Sequence, residues 1–311
     1  KGEASLGFLG LGPNAMATIL NETRVFGTEV PGEFDLVNWV RILSLVIVSV
    51  GLVGNSLVLW LLGFRIPRNP FSIYILNLAG ADTLFLCGQF ALSIHGFLEY
   101  LRLSVMGLLY VTSTSYTAGL SLLAAISTQR CVAVLFPIWY RCHHTKHTSA
   151  AVCAVLWALA SLLWLSLFFF CTSWYNSHLC YAVPRVLVVW FFLLTCVLCV
   201  SSLTLLLRVQ CSSQRRQPSR LYLLVLLTVL VFLLCGLAPG IEIIMLLFDV
   251  MFKPLWLPMI LACVNSSANP FIYFFLGSQR HKRRREPLRV VLQRAMADDQ
   301  ETKCSDTEPR K

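Results

Sequence analysis

The chain has 311 residues, 57% of them hydrophobic and only 13% charged, with a formal net charge of +10. Soluble domains carry about a quarter charged residues, so this charge deficit excludes an ordinary soluble fold. The positive excess gathers at one set of connections between apolar stretches, which makes it a topology signal at an anionic inner leaflet and not a nucleic-acid footprint.

Residues 1–35 form a short acidic arm. Its segment 4–20 is mildly apolar but Gly-rich and without a basic leader, so it does not read as a signal peptide. Asn21-Glu22-Thr23 is a glycosylation sequon, and Asn21 is expected to carry a glycan.

Seven apolar stretches follow, at 36–62, 71–95, 103–134, 149–171, 182–209, 221–248 and 255–276. Each is long enough for a hydrocarbon core of ~30 Å, which needs about 20 residues of helix. The runs are continuous and lack the alternation of barrel strands, so they predict helices. The expected fold is an all-α membrane protein, a seven-transmembrane helix bundle over 36–276. Connections as short as those near residues 63–70 and 96–102 force neighbouring helices to pack antiparallel.

Lys and Arg settle the expected orientation. Of the 25 basic residues, 19 fall on one side of the alternating connections, among them Arg65, Arg68, Arg141, Lys146, Arg215 and the basic C-terminus. The positive-inside rule puts that side in the cytoplasm and the N-terminus outside. Past 276, Pro287 opens a segment in which Leu288, Val290, Val291 and Leu292 alternate with Arg289 and Arg294 at helical spacing. Residues 277–297 are therefore expected to form a short amphipathic cytoplasmic helix 8 on membrane lipid, followed by a tail over 298–311.

Polar residues inside a bilayer are expensive and mark function or helix-to-helix glue. Asn55 in the first stretch, Asp82 in the second, and Asn269-Pro270 with Tyr273 in the seventh are such residues. The proline frees a backbone carbonyl and loosens its helix, so this group reads either as a structural hydrogen-bond knot or as a switch with two packings.

Taken together, Asn55 after Gly54, Leu76-Asn77-Leu78-Ala79 with Asp82, Trp157, and Asn269-Pro270 with Tyr273 resemble the rhodopsin-like receptors that signal through G proteins. The resemblance covers roughly residues 36–297. Leu59-Trp60-Leu61-Leu62-Gly63-Phe64-Arg65, Ile126-Ser127-Thr128-Gln129-Arg130-Cys131 and Phe232-Leu233-Leu234-Cys235-Gly236-Leu237 are similar to the Mas-related receptors of sensory neurons and mast cells. That resemblance implies a plasma-membrane receptor that takes an extracellular peptide or small molecule and couples to a Gq- or Gi-type heterotrimeric G protein. Arrestin is a further implied partner, with Ser305 and Thr307 as phosphorylation sites among acids.

The same resemblance assigns switch roles. Arg130, at the inner end of the third stretch, would contact the G protein, and an adjacent acid often holds it at rest. Gln129 stands beside it and cannot form an ion pair, which predicts appreciable resting activity. Cys235-Gly236 replaces the wider class's tryptophan, and Pro239 falls one residue later than in the Mas-related group; a one-residue shift rotates a kink by about 100°. Gly119 falls where the class's sodium site needs a hydroxyl beside Asp82, which argues against sodium there.

Six of the 12 cysteines, Cys87, Cys153, Cys196, Cys199, Cys235 and Cys263, lie within apolar stretches and read as small apolar residues. Cys171 and Cys180 flank the second outer loop in an oxidising compartment and are expected to form a disulfide, an arrangement the Mas-related resemblance shares. Some relatives bind cationic ligands through two acids beside these cysteines, but Leu167 and Pro184 occupy those positions. Glu242 and Asp249 are the remaining acids near an outer cleft walled by Tyr110, Trp164 and Trp174, where a cation could sit. Glu242 at the headgroups is the equal alternative, and Arg102 and Arg185 keep an anionic ligand open.

No nucleophile–base pair, phosphate-cradling glycine loop or metal-binding motif points to an enzyme, a metal or a cofactor. A transporter would need paired midplane charges or repeated halves, and a retinal-binding opsin a lysine within the seventh stretch. The reading that remains beside a signalling receptor is an orphan or constitutively active seven-helix receptor that mainly scaffolds or modulates others.

Overall fold

With no water in a bilayer, every backbone N–H and C=O must be satisfied within its own segment, so uninterrupted apolar runs become long helices. The computed structural model describes residues 33–66, 69–94, 105–136, 140, 146–170, 177–211, 227, 229–237, 241, 256–278 and 290. The first span is a helix over Glu33–Trp60 continued by a π-turn at Leu61–Arg65; the second covers Pro70–Ser93, the third Val105–Leu135, the fourth Lys146–Phe168 and the fifth Ser177–Cys211. The sixth span is described around its π-turn at Phe232–Gly236, and the seventh runs over Trp256–Ser278.

Among the described residues, five helices are long and apolar enough to cross a membrane, the first five spans. The seventh has 23 residues and carries the polar run Asn265–Asn269 in its middle. The fifth helix begins at Ser177, ahead of the expected 182, because a helix outruns its greasy stretch into the interface; Pro184 thus lies inside it.

The second span starts at a well-built cap. Asn69 and Ser72 bond each other's backbone N–H in a capping box, and Pro70 takes the first helical position, where a missing N–H costs nothing. This fixes where Phe71 and Tyr74 fall, three residues apart on one helix face.

The second and third spans form the centre. The third packs on the second, fourth and fifth, the second also on the first and fourth, and the seventh on the first and second. Tyr74, Leu78, Leu86, Leu120, Leu122 and Phe232 fill the core. Trp39, Val53, Phe64, Leu162 and Phe192 point outward, as lipid-facing residues must. The fourth span buries a narrow strip, Ser149, Cys153 and Ala160, at spacings that share one face. Gly51 allows a close approach: a Cβ there would collide with Ser267 Oγ, which donates to the Ile47 carbonyl at 3.2 Å. Small residues let helices meet backbone to backbone in this way.

Candidate functional site

Pro270 lies inside the seventh helix and has no N–H for the carbonyl four residues back, that of Ser266. Asn55 takes up that carbonyl: its Nδ2 donates to Ser266 O at 3.1 Å and to Gly51 O at 3.0 Å. Asp82, buried in the second span, accepts a hydrogen bond from Asn269 Nδ2 at 2.8 Å and is also hydrogen-bonded to the Ser266 hydroxyl. An acid in hydrocarbon is tolerable only when bonded like this. One knot therefore joins the first, second and seventh spans around a proline-loosened turn. Gly119 of the third span faces it, and a Cβ there would lie 3.7 Å from Asp82 Oδ1. Tyr273 is buried one turn further in.

Above the knot, the third span meets the sixth. Tyr116 donates its hydroxyl to the Gly236 carbonyl at 2.8 Å, and its ring tilts against Phe85 with centroids 4.9 Å apart. Gly236 ends the Phe232–Gly236 π-turn. A Cβ on it would meet Phe232 Cδ2 at 2.8 Å and Asn265 Oδ1 at 3.2 Å, so the turn admits no side chain without displacing a neighbour. π-turns of this kind recur at functional places in helices.

Toward the C-terminal end of the third helix, Arg130 is only 6% exposed. Its Cζ lies 3.5 Å from the centroid of the Phe71 ring. Gln129 Nε2 donates to the Tyr74 hydroxyl at 3.2 Å, and Tyr74 is also hydrogen-bonded to Ser149 of the fourth span. Ser127 and Ser201 share a 2.6 Å bond between the third and fifth spans, and Cys131 bonds Thr204 on the same side.

Elsewhere the third helix is held by indoles. Trp164 Nε1 donates to Thr117 Oγ1 at 2.9 Å from the fourth span, and Trp190 Nε1 to Ser121 Oγ at 3.2 Å from the fifth. Tyr110 reaches the Ser161 carbonyl at 3.5 Å and meets Phe168 edge-on at 6.0 Å.

The sequence that builds this bundle has close relatives among known proteins. Residues 54–273 match the family described as 7 transmembrane receptor (rhodopsin family). The human Mas-related G-protein coupled receptor member X1 is 47% identical over 289 residues, covering 90% of this chain and 89% of that one. Member X2 of Macaca mulatta is 45% identical over 278 residues (85% and 84%), and member B4 of Rattus norvegicus 41% identical over 311 residues (96% of each). The chain is a Mas-related receptor of the rhodopsin family. It is a multi-pass plasma-membrane protein whose partners are an extracellular ligand and a G protein, and it is not an enzyme.

In this receptor, Asn55, Asp82 and Asn269-Pro270 lie together, whereas Gln129 and Arg130 sit a level below and Gly236 a level above. Tyr110 and Trp164 seal the seam between the third and fourth spans. Asn21, Cys171, Trp174, Glu242 and Asp249 lie outside the described residues, as does the side chain of Cys180. Of the segment 277–297, expected to form helix 8, residues 277–278 belong to the end of the seventh helix and Val290 is helical; the rest lies outside the described residues.

Sequence reasoning missed Tyr116, Phe71 and Tyr74. Tyr116 left a trace, since a tyrosine deep in an apolar run needs a partner for its hydroxyl. Phe71 left none, because a phenylalanine in a greasy helix looks like any other filler.

Proposed function

We propose that this receptor binds a peptide or small molecule from outside the cell and activates a Gq- or Gi-type G protein, in sensory-neuron or mast-cell signalling. Its N-terminal arm (1–35) is extracellular, its bundle spans 36–276, and helix 8 (277–297) and the tail (298–311) are cytoplasmic. Cys171 and Cys180 tie the second outer loop, Asn21 carries a glycan, and arrestin binds the phosphorylated tail. Glu242 and Asp249 hold a cationic group of the ligand beside Trp174.

The observation that carries this reading is the knot around Pro270. A helix whose broken rung is filled by a side chain from another span, Asn55 on the Ser266 carbonyl at 3.1 Å, is closed there by a contact between spans and not by its own backbone. Such an element is bistable, and a ligand shifts it by its differential affinity for the two packings. The sixth span, fastened to the third by Tyr116 and narrowed to glycine at 236, is the part free to respond. Arg130 then receives the G protein at the inner rim.

Guanine-nucleotide exchange on purified Gq and Gi, with the purified receptor and a panel of basic peptides, small amines and steroid-like anions, tests the coupling. Exchange on either, raised by at least one probe, is the expected result. Exchange on neither, from a receptor that still binds a probe, favours the scaffolding reading. Epitope tags at the two ends of the chain should be reachable from opposite sides of an intact cell.

A further inference from the structure

We propose that Phe71 and Tyr74, one turn apart at the start of the second span, form an aromatic latch that holds the Gln129–Arg130 pair at rest. The inference rests on the G-protein coupling proposed above. Both anchors are buried, and so is the arginine they hold. The Phe71 ring offers its negative face to the guanidinium at 3.5 Å, a contact that strengthens as water is excluded. The next residue along, Gln129, is fastened to Tyr74 at 3.2 Å, and Tyr74 is in turn fastened to Ser149 of the fourth span. The capping box at Asn69 and Ser72 fixes the height of this helix, and with it the positions of both rings.

The latch gives glutamine at 129 a physical reason. An amide can donate to a tyrosine hydroxyl and leaves the guanidinium on the ring, whereas an acid there would draw the guanidinium to itself. It also revises the expectation of high resting activity. A guanidinium buried against the second span cannot touch a protein arriving from the cytoplasm, so engaging that protein requires it to leave the ring. The ring supplies part of the restraint that an ion pair supplies elsewhere in the class.

The test compares agonist-independent signalling at equal surface density with a spectroscopic distance between probes at the inner ends of the third and sixth spans, in the purified full chain. Phe71→Leu, which keeps bulk and removes the ring face, should raise resting output roughly threefold to tenfold and lengthen the distance. Phe71→Tyr, which keeps the ring, should restore the resting level. Gln129→Glu added to Phe71→Leu should lower it again, because an acid can take over the arginine; a mere space-filling role for Phe71 predicts no such rescue. Unchanged output and distance in Phe71→Leu, or a rise that Gln129→Glu fails to reverse, overturns the latch. Should Phe71→Leu not reach the surface, Tyr74→Phe removes one hydroxyl from the same latch, and the same two readouts decide in the same directions. A distance that responds as expected while no G protein exchanges nucleotide leaves the latch standing and removes the coupling reading.

Discussion

The Tyr116 hydroxyl donates to the Gly236 carbonyl at 2.8 Å and so joins the third and sixth spans. The bond falls at the end of the Phe232–Gly236 π-turn, where the irregular turn presents a backbone carbonyl to the tyrosine.

Tyr116→Phe deletes that bond and keeps the ring on Phe85. A buried hydrogen bond contributes about 1 kcal/mol net, roughly fivefold in an equilibrium. Resting second-messenger output should rise by about that factor, and the thermal midpoint of the purified receptor should fall. A lowered midpoint with unchanged output would mean that the bond persists in both states.

Asn55 and Pro270 are coupled through a single carbonyl. Asn55→Ala leaves Ser266 O without its partner, at a cost of about 1–3 kcal/mol. Pro270→Ala supplies the missing N–H from within the helix. The thermal loss from Asn55→Ala should therefore be smaller in the Pro270→Ala background, a non-additivity that a double-mutant cycle reads directly. Strict additivity would show that the two residues do not share the group.

Asp82 and Asn269 form an acid–amide pair that should tolerate exchange of roles. Asn269→Asp alone sets two carboxylates against each other where one amide now donates at 2.8 Å. Surface expression should drop, and Asp82→Asn added to it should recover most of the loss. Expression that stays low in the double variant would assign Asn269 an essential partner other than Asp82.

Gly119→Ser places a hydroxyl next to Asp82, since a Cβ at 119 sits 3.7 Å from Asp82 Oδ1, an ordinary contact. Sodium chloride should then raise the thermal midpoint above that in N-methylglucamine chloride, with no such difference in the parent receptor. An equal response in both would place a sodium site that needs no hydroxyl from the third span.

The spans were legible because a bilayer demands unbroken apolar helices. The second and third helices, Pro70–Ser93 and Val105–Leu135, begin and end within a few residues of the expected 71–95 and 103–134. The Asp82–Asn269 pairing was legible as two polar residues that had to find partners in hydrocarbon. Rotation was not. A helix that is apolar on every side carries no stripe to say which face turns inward, so nothing marked Phe71 as the residue that would lie against Arg130. The π-turns at Leu61–Arg65 and Phe232–Gly236 were equally silent, because each adds a residue to a turn without changing the composition. The bonds that Tyr110 and Trp164 make across the seam between the third and fourth spans were silent for the same reason.

Thr117 and Ser121 stand one helical turn apart, and each accepts an indole N–H, the first from the fourth span and the second from the fifth. Riveted from two flanks, the third helix is a fixed post rather than a lever. Movement in the bundle must then go around it, and on its remaining flank one bond, from the Tyr116 hydroxyl to the Gly236 carbonyl, is what the sixth span has to give up.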